Sequence, residues 1–166
     1  MTDMERLDVY DKNRNFLGYT HIRGQIVKEG EYHLTVQICV LDAAGRLLMT
    51  RRHPAKTWGG LWEVTAGCVL SGEDSRFAAV RELEEETGLH ITEEDLNLMC
   101  TYRMSDHHID CYLVQLDVRG EEVTVTLQEG ETIDYVWADD EIIDRLMREG
   151  SGVSITAQAI GYLKRR

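Results

Sequence analysis

The chain of 166 residues holds one proline, Pro54, and two phenylalanines. A single proline leaves no Pro-rich linker, and neither an internal repeat nor a low-complexity run is present. The four cysteines, Cys39, Cys68, Cys100 and Cys111, are far apart in sequence. That spacing excludes a zinc knuckle and argues against a disulfide scaffold, so reduced thiols in a cytoplasmic protein are expected. Positive charge is scarce: 18 Lys and Arg against 30 Asp and Glu give a net charge of −12. Such a surface repels polynucleotides and anionic membranes, so a phosphate-bearing ligand must be met by a local basic pocket or a metal. No run approaches the ~18 apolar residues of a membrane span, and the opening MTDMERLDVY is too charged for a signal peptide. The expectation is one domain over residues 1–166 that acts on a small molecule, with neither nucleic acid nor membrane as partner.

What is there reads as strands and helices of an α+β domain. Residues 33–41 (HLTVQICVL) are β-branched and apolar, as a buried strand requires, and Asp42-Ala43-Ala44-Gly45 supplies a turn into a second strand over 46–50. Residues 51–61, with basic groups, Pro54 and Gly59-Gly60, form a loop. A short strand is expected over 62–70, then a helix over 74–87 ended by Gly88. Strand patterns recur near 96–104, 109–118 and 132–137, and helical ones over 141–148 and 155–163.

Residues 67–89 (GCVLSGEDSRFAAVRELEEETGL) carry the chemistry. At about 100° per residue, Glu82, Glu85 and Glu86 fall within about 100° of arc, while Glu84 points away. Ala78 and Ala79 lie under that face, and Phe77, Val80 and Leu83 are the expected anchors to the sheet. Like charges at these spacings destabilise a helix by a few tenths of a kcal/mol per pair. A merely solvated helix would intersperse lysines. A divalent cation removes the repulsion, and clustered carboxylate oxygens suit Mg²⁺ or Mn²⁺. Glu73 could reach the same ion from the loop, and Arg81 could steady one carboxylate.

The spacing is Gly67, five residues, Glu73, seven residues, Arg81-Glu82-Leu83, one residue, Glu85-Glu86, one residue, Gly88-Leu89. This is a complete match to the Nudix box, with a chance frequency of about one in 10⁹ per start site at ordinary residue usage. The chain therefore resembles the Nudix hydrolases. The resemblance implies an α/β/α sandwich with a mixed sheet, its box a loop–helix–loop over 67–89. It implies hydrolysis of a nucleoside diphosphate linked to another moiety, or a related diphosphate, with Mg²⁺ or Mn²⁺. Glu73, Glu82, Glu85 and Glu86 become metal ligands; Arg81 becomes the orienting residue, and Gly67 and Gly88 permit the turns. Glu85 is the nominal general base, and because family members differ here, Glu129, Glu131 and Asp134 are further candidates. A homodimer is common among relatives.

Beyond the box, residues 8–33 resemble the N-terminal β extension, here residues 1–30, of the branch related to isopentenyl diphosphate isomerase. His33, Arg51-Arg52 and the KTWGGLW segment over 56–62 continue that likeness. Isomerase chemistry is the rival, but its cysteine and histidine positions are Ala66 and Cys68 here, and the first of its two metal-binding histidines would fall at Ile26. A non-catalytic nucleotide-binding module is the second rival; such modules usually lose a box glutamate, and none is missing. Arg51 or Arg52 could bind phosphate, and Trp58, Trp62 and Tyr102 could stack on a base or simply fill the core. Cys68 replaces a histidine as a small half-buried residue, His107-His108 mark a polar entry to a strand, and residues 139–166 close the domain as helices. Selectivity is expected in the loops at 51–61 and 103–110.

Overall fold

The computed structural model describes residues 4–165. Two strands, β1 (Arg6–Tyr10) and β2 (Phe16–Ile22), pair as an antiparallel hairpin. The main sheet has seven strands: β3 (His33–Leu41), β4 (Leu47–Arg52), β5 (Trp62–Glu63), β6 (Thr65–Cys68), β7 (Asn97–Arg103), β8 (His107–Gln115) and β9 (Thr132–Ala138). Helix α1 (Ser75–Thr87) follows β6, and α2 (Asp140–Arg148) and α3 (Ser154–Leu163) close the chain.

The 33–41 run is buried almost throughout because it is the central strand. It pairs parallel with β8 along its whole length, and β7 extends that side antiparallel. On its other edge β3 meets β4 only at Leu41 opposite Leu47, while β6 pairs with Thr35–Ile38. β4 thus leaves the central strand after the turn and pairs instead with β5 and β9. The sheet splits there, and α1 leaves the end of β6 beside the split.

Alternation along β3 sends Leu34, Val36, Ile38 and Val40 to one face, where they pack with Ala78, Ala79 and Leu83 of α1. Cys39 and Cys111 face the other side with Ile143, Leu146, Ala159 and Ile160 of α2 and α3. The result is a mixed sheet between two helical layers. Phe77 is not an anchor: it is 53% exposed, because the sheet-facing stripe of α1 is Ala78, Ala79, Glu82, Leu83 and Glu86. Ala78 and Ala79 bring the helix close to the sheet, so the carboxylate face is itself the buried face.

Asp74 caps α1, its side chain accepting from the Phe77 amide at 2.9 Å. At the other end Gly88 takes φ 71°, and its amide donates to the Glu84 carbonyl. Asp74→Ala should cost about 1 kcal/mol, the ordinary value of a lost cap, seen as a lower chemical-denaturation midpoint with unchanged slope.

The hairpin is tied to the sheet by polar contacts. Arg14, itself at φ 67°, donates both terminal nitrogens to Asp110 of β8, one of them at 2.6 Å. Tyr10 and Tyr32 exchange backbone bonds, and the Ser71 amide donates to the Arg6 carbonyl. That last bond joins the hairpin to the loop opening the box.

Candidate active site

The close approach of α1 to β6 explains Gly67. A β-carbon there would stand 2.0–2.4 Å from the carboxylate atoms of Glu82. Gly67→Ala should therefore displace Glu82 rather than unfold the chain. We expect about 1 kcal/mol of lost stability and about a hundredfold lower turnover, read from a thermal melt beside steady-state kinetics.

Arg81 organises the loop and the helix together. Its Nε and Nη2 donate to the two oxygens of Glu73 at 2.7 and 2.9 Å, and Nη2 also reaches the Cys68 carbonyl at 3.0 Å. Its Nη1 donates to Glu82 at 2.9 Å and to Glu85 at 3.2 Å. Glu73 further accepts from the Leu70 amide at 3.0 Å. One guanidinium thus serves three carboxylates, while Glu84 is exposed on the far side.

Glu82 and Glu86 are buried, and Glu85 sits at the rim with 45% of its side chain exposed. Burial pushes the Glu82 carboxyl up to about 7 against the pull of Arg81, with Glu85 adding repulsion. Glu86 is driven well above the usual carboxylate range, first by burial and then by the neighbouring charges of Glu63 and Glu82. Its Oε2 is buried without a hydrogen-bond partner among the described residues. An orphaned carboxylate oxygen of this kind is costly unless a ligand completes it.

Two basic side chains stand on this side, Arg52 acting on Glu86 and Lys56 on the nearby Glu63. Arg52 donates Nη1 to Glu63 at 2.7 Å and Nε to the Thr57 carbonyl at 2.8 Å. Lys56 pairs with Glu131. Backbone bonds hold this side together: His53 donates to Glu131, Glu131 to Gln128, and Gln128 to Glu86. Of the arginine pair, Arg52 is therefore the one near the carboxylates; Arg51 is exposed and donates to the Gly60 carbonyl. A register shift between the two, where β4 meets β9, separates their directions.

Other expected residues lie elsewhere. Trp62 packs against the α2–α3 core, and Tyr102 packs there too while bonding Gln37. Trp58 is 58% exposed in the loop, at φ 57°. Asp134 and Glu129 are exposed. His107 and His108 stand on β8 and make different contacts, His107 with Asp106 at 2.9 Å and His108 with the Asp11 carbonyl at 2.8 Å. His33 meets His21 at 3.0 Å, whereas Ile26 is 85% exposed. Burial, then the nearby His107 and His21, lowers His33 to about 4.

Two residues near the carboxylates escaped the sequence reading. Glu63 is an acid at a buried strand position, which was the available signal. Arg23, paired with Glu5 at 2.6 Å, adds positive charge felt by Glu82, and nothing in its local sequence marks it.

The residues fit a divalent cation in number and chemistry: two buried glutamates, a third at the rim, and an unpartnered oxygen on Glu86. They are not gathered in coordination geometry, since among the described residues no three His, Cys, Asp or Glu side chains surround one point. Arg81 is what Glu82 and Glu85 face instead, so a bound cation would have to compete with that guanidinium.

Residues 31–152 match the NUDIX domain family. An uncharacterized Nudix hydrolase of Listeria monocytogenes is 33% identical over 149 residues, spanning 89% of this chain and 87% of the relative. The DR0079 protein of Deinococcus radiodurans shares the fold with a TM-score of 0.76 at 20% identity, over 93% of this chain and 97% of that one. So does a bifunctional NMN adenylyltransferase/ADP ribose pyrophosphatase of Francisella tularensis, solved with AMP and a manganese ion. Its TM-score is 0.67 at 21% identity, over 81% of this chain and 41% of that one. With the complete box, its buried carboxylates and these matches together, the chain belongs to the Nudix hydrolase family.

Proposed function

We propose that this chain is a metal-dependent hydrolase that cleaves the diphosphate linkage of a nucleoside diphosphate derivative or related organic diphosphate. The observation that carries the reading is the uncompensated Glu86 carboxyl, buried on the same face as Glu82 with one oxygen unpartnered. Glu82, Glu85 and Glu86 would hold Mg²⁺ or Mn²⁺, with Glu73 contributing directly or through Arg81. Such a cation would neutralise phosphate oxygens and lower the pKa of bound water. Arg81 positions the carboxylates, and Arg52 is the side chain best placed to meet a phosphate.

For the general base, Glu85 remains the candidate within the box, being at the rim where a water could reach it. Glu131 is the loop candidate, joined to Glu86 by two successive backbone bonds through Gln128. An isomerase reading gains nothing from the site: Ala66, opposite Gln37 on β6, has no proton to move. The working unit in this reading is the single domain, because the hairpin is bonded to both β8 and the loop opening the box. No helix of the described residues is long and apolar enough to cross a membrane.

The experiment is product analysis with Mg²⁺ or Mn²⁺ on a panel of nucleoside diphosphate derivatives. ADP-ribose belongs in it, since a structural neighbour is named as an ADP ribose pyrophosphatase, and isopentenyl diphosphate serves as the isomerase control. The expected result is a nucleoside monophosphate and a second phosphorylated product from one compound class, abolished by chelation. Turnover that survives full chelation would overturn the metal-dependent reading.

A further inference from the structure

Glu63 is not part of the box, yet it is buried to 4% exposure on β5 and accepts from Arg52. Its carboxylate is the foremost charge acting on Glu86, ahead of Glu82 on the same helix. A second acid–base pair, Lys56 with Glu131, acts in turn on Glu63. Two acids and two bases thus surround the neighbouring Glu63 and Glu86, each base held by an acid, while Oε2 of Glu86 has no partner among the described residues. An incoming cation prefers the acids, and an incoming diphosphate prefers the bases. One rearrangement would satisfy both.

We infer that Glu63 is a further carboxylate of the metal centre and that it holds Arg52 in reserve: when a divalent cation is taken up beside Glu86, Glu63 turns to it and frees the Arg52 guanidinium for the substrate's phosphates. The geometry allows the exchange. Arg52 is anchored independently through Nε to the Thr57 carbonyl, so losing Glu63 leaves its place at the cleft edge intact. Glu63 sits on the two-residue β5 opposite Thr50, its side chain 5% exposed and turned inward. The exchange also orders binding, metal before substrate, because the phosphate-binding group stays occupied until the cation arrives.

This inference rests on the box carboxylates being the metal site, and the experiment separates the two. Mn²⁺ affinity is measured by calorimetry in wild type, Glu63→Gln and Glu86→Gln, and inorganic pyrophosphate affinity is measured with metal removed. Glu63→Gln should bind Mn²⁺ about tenfold or more weakly. The same variant should bind metal-free pyrophosphate several-fold more tightly than wild type, because its Arg52 is no longer held by a charge. A merely structural ion pair between β4 and β5 would leave the Mn²⁺ affinity unchanged, so that arm carries the distinction. If Glu86→Gln loses Mn²⁺ while Glu63→Gln matches wild type in both measurements, this inference fails and the box reading stands. If Glu86→Gln binds Mn²⁺ like wild type, the box reading itself fails and the inference with it. Should Glu63→Gln not fold, Arg52→Gln serves: with Glu63 released, Mn²⁺ affinity should rise several-fold, and an unchanged or lower affinity overturns the exchange.

Discussion

Glu86→Gln should lower kcat by about a thousandfold or more, about 4 kcal/mol of transition-state stabilisation, while the fold persists. The substitution keeps size and shape but removes the charge a cation would bind. Persistence of the fold follows from the same burial: Glu86 is a desolvated carboxyl beside Glu63 and Glu82, and both effects shift it toward its neutral form. Glutamine mimics that neutral form. Steady-state kinetics beside a thermal melt checks both halves. Normal turnover in the variant would place the reaction elsewhere, and unfolding would mean that Glu86 is mainly structural.

The second large effect is on stability as a function of pH. Folding raises Glu82 to about 7 and Glu86 well above its ordinary 4.5. A folded state that holds protons the unfolded chain gives up is most stable, for these groups, below about pH 4.5, and loses that contribution as pH rises through the folded values. His33 works in the opposite sense, being lowered to about 4, so the total curve is a poor witness. The difference between wild type and a Glu82→Gln/Glu86→Gln double variant isolates the pair. The variant should gain on wild type by about 2 kcal/mol or somewhat more between pH 5 and pH 8, from Glu82 alone. Saturating Mn²⁺ should stabilise wild type more at pH 8 than at pH 5, because protons compete for the same oxygens, and should leave the variant unmoved. Denaturation curves at the two pH values decide it: a constant difference, or equal stabilisation by Mn²⁺ at both, contradicts the assignment.

Much of this was legible in the residues. The continuous apolar run of β3 announced a strand buried on both faces, and Asp74 and Gly88 bounded α1 within a residue. The box spacing picked out Arg81 and the carboxylates it holds. What periodicity could not give was direction in depth. The expectation that Phe77 anchors the helix assumed that acids face water; the sheet instead takes the alanines with Glu82 and Glu86, and Phe77 is left outside. Long-range pairing was equally hidden. Nothing local joins Arg52 to Glu63, or Arg14 to Asp110 across 96 positions, because each contact depends on where the split sheet turns. Trp62 has the same sequence qualities as a stacking residue and a core residue, and the second helical layer determines that it packs as core.

Whether the buried carboxylates take up a divalent cation is measured directly as Mn²⁺ binding at pH 7.5 by electron paramagnetic resonance. Wild type should bind at least one ion, with Glu82→Gln and Glu86→Gln each weakening it by about a hundredfold or more. Equal binding by wild type and both variants, or none by wild type, would contradict the account.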